Sequence, residues 1–92
     1  MQTLRALTDA AVHDAALFDG ADRGTTTTLD VKRVLRDRGY WATQAEVSHR
    51  MDRIARREQW PWWKMLGRFR LYGVPVHRHA SGSVAARAAL VN

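Results

Sequence analysis

Two groups of polar side chains in this sequence have types and spacing suited to contact with bases and phosphates. The first begins at Thr43, which stands three residues before Glu46 as in a capping box and predicts a helix that starts at Gln44. The Gln44 amide can hydrogen-bond adenine through two atoms, and Ser48 and His49, one turn further on, can reach a base edge or a phosphate. The pattern predicts base contact through the first half of this helix.

The second group is cationic and lies on two segments. Arg53 and Arg56 fall on the outward face of the same predicted helix, whereas Lys64, Arg68 and Arg70 lie in a segment that alternates in strand period. Such cations are the usual partners of backbone phosphates. We expect these five side chains to bind the phosphate backbone rather than to select a sequence.

The start of the predicted helix offers a third contact. Backbone amides near Thr43 and Ala45 have no acceptor within the helix, so a phosphate would bind there favourably. The alternative is that Gln44, Ser48 and His49 are solvated positions that bind nothing. The capping signal, the basic flanks and the basic hairpin together favour contact with DNA.

The spacing of apolar residues predicts the elements that must position these side chains. A first helix is predicted over residues 3–18, and the four threonines at 25–28 fit either one brief strand or an extended linker. A second helix is predicted over 28–38, a third over 44–57, and a β-hairpin over 60–72.

Apolar stripes on these helices predict the core. The stripe of the first helix includes Leu4 and Phe18, and that of the second includes Leu29 and ends at Gly39, a residue suited to closing a helix. On the third helix, the core side at 100° per residue holds Val47, Met51, Ile54 and Glu58.

The order of elements predicts an α+β, mainly α fold of the winged helix-turn-helix kind, with three helices and a small β-hairpin wing. The third helix would enter the major groove and the hairpin would touch the backbone or the minor groove. We expect one such domain over residues 1–75 and a flexible tail over 76–92, in which a short C-terminal helix could form.

One stretch of this sequence resembles a known family. The run GYWATQAEVS, Gly39 to Ser48, resembles the helix-turn-helix signature of bacterial arginine repressors, and GRFRLYGVP, Gly67 to Pro75, resembles the end of their wing. The resemblance covers residues 29–75 and implies a winged-helix DNA-binding domain that reads bases through Gln44 and Ser48. His49 stands where that family usually has arginine, and their arginine-binding domain has no counterpart in the sequence.

Tryptophan is unusually frequent around the hairpin. Trp41, Trp60, Trp62 and Trp63 lie close to it, and alternation along a strand prevents Trp62 and Trp63 from both facing inward. We expect one of these two to be exposed, and a surface function for one of the four tryptophans. Trp62 or Trp63 would then be available to a protein partner.

The sequence offers little for catalysis or metal binding. His77 and His79 could share one face of a strand, but two histidines without a nearby carboxylate or cysteine are too few for a stable zinc site. Neither a nucleophile with its base nor a glycine-rich phosphate loop is visible. We therefore expect a protein that is not an enzyme and needs no cofactor.

Charge, cysteine content and the length of apolar runs limit the class of protein. The chain of 92 residues has a formal net charge of +6 and no cysteine, and no apolar run is long enough to span a bilayer. Residues 1–30 hold two basic and five acidic side chains, whereas residues 31–70 hold eleven basic and four acidic ones. A basic centre favours a polyanionic partner, and we expect a cytoplasmic, nucleoid-associated protein of bacterial or phage origin without membrane contact.

These observations predict a sequence-specific double-stranded DNA-binding protein that regulates transcription. The alternative is a small winged-helix protein-interaction module, from a phage or mobile element, that acts as an inhibitor or adaptor of a nucleic-acid enzyme. Because one small domain contacts little DNA, we also expect a homodimer, joined by the acidic first helix and by tail residues such as Val84, Leu90 and Val91.

Overall fold

A computed structural model describes residues 3–76 of the chain. These residues form three helices, α1 (Asp9–Asp19), α2 (Thr28–Asp37) and α3 (Gln44–Glu58), and a three-stranded sheet. Its strands are β1 (Thr25–Thr27), β2 (Trp62–Met65) and β3 (Phe69–Gly73). The first strand lies between α1 and α2, and the other two follow α3. The fold is therefore small and α+β, which is compatible with the predicted winged helix-turn-helix.

The sheet is antiparallel in the order β1-β3-β2. Thr26 pairs with Tyr72 and Tyr72 with Trp62, so these three share the sheet face that turns toward the helices. Thr26 and Tyr72 are almost fully buried there. Of the two alternatives for the four threonines, a brief strand or an extended linker, the strand is confirmed, because residues 25–27 pair with β3.

The core lies where the three helices meet this sheet face. Val12 of α1, Leu35 of α2 and Met51 of α3 have no exposed surface. The hydrophobic cluster also contains Leu7, Ala11, Ala15, Ala16, Val31, Ala42, Val47, Ile54, Ala55, Trp60, Tyr72 and Val74. Apart from Leu29 and Glu58, the stripes of α2 and α3 therefore face inward as their periodicity predicts.

Helix α1 begins later than residue 3, and that part of the prediction is wrong. The Thr8 hydroxyl caps the helix by accepting a hydrogen bond from the Ala11 amide at 3.1 Å. The segment before it is extended, and Arg5 joins the α2–α3 turn: its amide donates to the Gly39 carbonyl at 2.8 Å and its carbonyl accepts from the Trp41 amide at 3.0 Å. Tertiary pairing therefore replaces the predicted first turns of the helix.

Four residues predicted to face the core are exposed instead. Leu4 lies in the extended segment, Phe18 is 64% exposed and Leu29 is 45% exposed. Phe18 lies about 120° around α1 from Val12, and the Arg38 guanidinium lies over its ring, 5.0 Å from the centre. Glu58 is exposed because α3 ends beyond the core, where its carboxylate lies 3.8 Å from His13.

The other helix boundaries agree closely with the prediction. The Thr27 hydroxyl accepts from the Asp30 amide at the start of α2, and Gly39, with φ of 88°, follows its end. Only glycine adopts this left-handed backbone without steric cost, which explains why α2 stops there. Beyond Val76, the predicted tail with its C-terminal helix lies outside the described residues.

Candidate nucleic-acid interface

A cleft of about 390 Å³ separates α3 from the hairpin of β2 and β3. It brings together six of the ten predicted site residues: Gln44, Ser48 and His49 on the helix, and Lys64, Arg68 and Arg70 on the hairpin. Asp52 and Phe69 also line it. Two segments that are distant in sequence thus form one polar surface.

The helical wall of the cleft is set by the cap at Thr43. Its hydroxyl accepts a hydrogen bond from the Glu46 amide at 3.2 Å, as the capping pattern predicts. The amides of Gln44 and Ala45 belong to the same first turn and have no intrahelical acceptor. Ser48 and His49 follow with exposed side chains. Polar side chains and free amides therefore lie on the same end of α3.

Arg53 is engaged by an acidic residue that the sequence analysis did not single out. Its Nε and Nη2 atoms donate to the two carboxylate oxygens of Asp9 at 3.0 and 2.7 Å, and Arg50 Nη1 donates to the same carboxylate at 2.7 Å. Hydrogen bonds from Arg53 and then Arg50 lower the pKa of Asp9 from 3.8 to about 2. The Arg50 guanidinium also contacts Glu46 at 3.2 Å. The group joins the start of α1 to the middle of α3.

Asp52 holds two more of the predicted phosphate partners. One carboxylate oxygen accepts from Arg70 Nη1 at 2.7 Å, and the other lies 3.1 Å from Arg56 Nη2. The Arg70 guanidinium also lies over the Trp62 ring, 4.0 Å from its centre. Asp52 therefore ties the hairpin to α3 and occupies the position between two cations that a phosphate could take.

Lys64 and Arg68 differ from the other cations of the cleft. The ion pairs of the described region include Arg53, Arg56 and Arg70 but neither Lys64 nor Arg68. Both side chains are exposed and line the hairpin wall. In the free protein they are the cations of the cleft that are available to an anion at once.

The expectation that Trp62 or Trp63 is exposed is confirmed, and the structure exposes both. Trp41, Trp62 and Trp63 are each about half exposed, and only Trp60 is buried, where its ring stacks on His13 with centres 5.4 Å apart. Trp62 and Trp63 point to opposite faces, but β2 is the outermost strand, so neither face covers its residues completely.

The two faces of the hairpin have different chemistry. Lys64 pairs with Arg70 on the face that turns toward the cleft. On the opposite face Trp63 pairs with Leu71, and Trp63 and Met65 are 50 and 36% exposed; Phe69, which pairs with Met65 beside the turn, also borders the cleft. One face is thus cationic and the other is apolar.

Within residues 3–76, no group of three or more acidic, histidine or cysteine side chains could hold a metal ion, and no helix has the length and apolar character to cross a membrane. His77 and His79 lie outside these residues. No protein-family model, curated protein or solved structure matches the chain. The resemblance to arginine repressors accordingly stays a prediction that rests on its motifs.

Proposed function

We propose that this protein is a winged-helix transcriptional regulator that binds double-stranded DNA, with α3 in the major groove and the β2–β3 hairpin as its wing. The observation that carries the proposal is the shared cleft, because it sets the base-reading candidates Gln44, Ser48 and His49 opposite the cations Lys64 and Arg68. A DNA-binding role also implies a cytoplasmic, nucleoid-associated location.

The five predicted cations differ in how readily each could bind a phosphate, because three of them already form ion pairs. Lys64 and Arg68 would bind first, since no ion pair has to break. Arg56 and Arg70 would exchange the Asp52 carboxylate for a phosphate, which keeps a hydrogen-bonded anion between them. Arg53 would have to leave the two-pronged contact with Asp9, so we assign it mainly to holding α3 in place.

A salt titration of duplex binding tests the proposal. Each neutralised phosphate adds about −0.9 to the slope of log affinity against log salt concentration. The double variant Lys64→Ala, Arg68→Ala should therefore flatten the slope by about 1.8 while circular dichroism remains unchanged. Arg23→Ala is the matched control, because Arg23 pairs with Asp19 in the acidic N-terminal part of the chain, outside the cleft.

A salt-independent titration, or an equal effect of the control variant, would contradict the proposal. The second candidate, a protein-interaction module that acts on a nucleic-acid enzyme, is favoured by the apolar outer face with Trp63 and Met65. It predicts no steep salt dependence with duplex DNA. The same titration therefore separates the two functions.

A further inference from the structure

Strand β2 has one edge that no other strand pairs with in residues 3–76. The Gly73 amide donates to the Pro61 carbonyl at 2.8 Å, and the Arg68 amide donates to the Met65 carbonyl at 3.0 Å. Both groups of one residue point to the same side of an antiparallel strand, and the side alternates along it. The N–H and C=O groups of Trp62 and Lys64 therefore point away from β3, toward the free edge.

Strand β2 has two features that usually protect an edge strand, a length of four residues and a lysine, but neither removes its outward N–H and C=O groups. Proline can block an edge because it lacks an N–H group, but Pro61 faces β3, as its hydrogen bond from Gly73 shows. Lys64 is the one charged residue of β2, and its side chain lies on the cleft face. The free edge remains open to an incoming strand.

We propose that β2 pairs antiparallel with β2 of a second copy of this chain, with Trp63 opposite the partner's Trp63. Residues opposite each other must lie on the same face, so the two-fold axis passes at a residue, and the two central positions, which pair most of β2, are Trp63 and Lys64. The axis at Lys64 sets two lysines directly opposite, which is unfavourable. The axis at Trp63 sets Lys64 opposite the partner's Trp62, twice, so that no two lysines face each other.

This register also gives hydrogen-bond partners to the backbone groups at the free edge. Trp62 and Lys64 each exchange two hydrogen bonds with the partner strand, while Trp63 forms the closely spaced pair without hydrogen bonds, in which opposite side chains touch. The two rings at Trp63 then cover part of each other's exposed surface. A foreign strand would have to reproduce this alternation of aromatic and cationic residues, whereas a second copy does so by symmetry.

The proposed dimer differs from the one predicted from the sequence, which used the first helix and the tail. Because the new contact uses the strand edge, the cleft of each copy stays open. The two-fold axis places both clefts on the same side of a joined six-stranded sheet. Two half-sites of one duplex could then be bound together if the proposed function holds, but the pairing itself needs no DNA.

Cysteine substitution tests the register, since the natural chain has no cysteine. Closely spaced pairs place Cα atoms about 4.5 Å apart, within the range for a disulfide. Under mild oxidation, Trp63→Cys should therefore become covalently dimeric on a non-reducing gel. The matched control Lys64→Cys should run mainly as a monomer on the same gel, because in the proposed register the two Lys64 positions are two residues apart along the strands and cannot form a disulfide. The wild-type mass by light scattering should be twice 10.5 kDa.

A second variant tests the edge without removing a tryptophan. Lys64→Pro deletes an N–H group that points to the free edge and does not take part in pairing with β3, so it should halve the mass and retain the circular dichroism spectrum. A wild-type monomer at every concentration up to the solubility limit would overturn the proposal. So would preferential cross-linking of Lys64→Cys, or an unchanged mass for folded Lys64→Pro. DNA binding by a monomer would overturn the pairing while leaving the proposed function intact.

Discussion

Asp9→Asn tests how firmly α1 holds the recognition helix. The carboxylate accepts two hydrogen bonds from Arg53 and one from Arg50, and its pKa falls from 3.8 to about 2. A depression of this size corresponds to at most about 2.4 kcal/mol of the free energy of unfolding. The Asp9 side chain is 28% exposed, and solvent screening reduces the expected loss to roughly 1 kcal/mol. In a domain of this size that is a melting temperature lower by about 4 to 8 °C.

The pH dependence identifies the cause of this loss. The pKa of Asp9 is lower in the folded chain, so its stabilising contribution is full above 3.8 and disappears as the pH falls from 3.8 toward 2. Urea unfolding of wild type and Asp9→Asn should therefore differ at pH 7 and converge near pH 2. Asp30→Asn is the matched control, because Asp30 also lies in a first helical turn but has only the looser 3.6 Å contact with Arg33.

Equal stability of wild type and Asp9→Asn at pH 7 would refute this reasoning. A difference that persists undiminished at pH 2 would refute it as well, since about half of the folded chains then have Asp9 protonated. An equally large loss in Asp30→Asn would assign the effect to the helix dipole instead of the arginine contacts.

Three further substitutions address the cleft and the wing. Asp52→Asn removes the anion between Arg56 and Arg70, so affinity for any duplex should rise and the salt slope should steepen by about 0.9, which the same titration measures. Gln44→Ala should reduce discrimination between preferred and random duplexes by about 1 to 3 kcal/mol and leave affinity for random DNA nearly unchanged, as competition binding would show. Leu66→Asn should raise the free energy of unfolding by about 1 kcal/mol in urea, because Leu66 has φ of 53° at a turn position where asparagine is much better tolerated; an unchanged urea midpoint would contradict this.

Local signals were sufficient for the helices that form the cleft. Thr27 and Thr43 cap α2 and α3 at the predicted positions, and Gly39 ends α2, because capping depends on residues only three positions apart. The start of α1 also carried a local signal, Thr8 followed by Asp9, but the apolar stripe through Leu4 suggested a longer helix. That stripe could not reveal that Arg5 would pair with the α2–α3 turn.

Contacts between distant segments could not be predicted from the sequence. Asp9 and Arg53 lie 44 positions apart, and no periodicity links them. The exposure of both Trp62 and Trp63 results from β2 being the outermost strand. The order of strands in a sheet cannot be read from the alternation of residues along one strand. The distribution of charge along the sequence located the cations in residues 31–70, and the spacing of Asp52 and Arg56 already indicated their pair. The pairs of Arg53 with Asp9 and of Arg70 with Asp52 appeared only in the fold.

The order of strands also affects how this chain folds during synthesis. In the described region β1 pairs only with β3, and Val74 anchors that pairing through a hydrogen bond from its amide to the Gly24 carbonyl at 2.8 Å. The ribosome makes β1 early and β3 last, so helices α1 to α3 leave the exit tunnel before the sheet can close. A chain arrested before Phe69 holds all three helices but lacks Tyr72, whose ring fills the core between them and the sheet. We therefore expect cooperative folding to begin only after synthesis has passed the end of the hairpin.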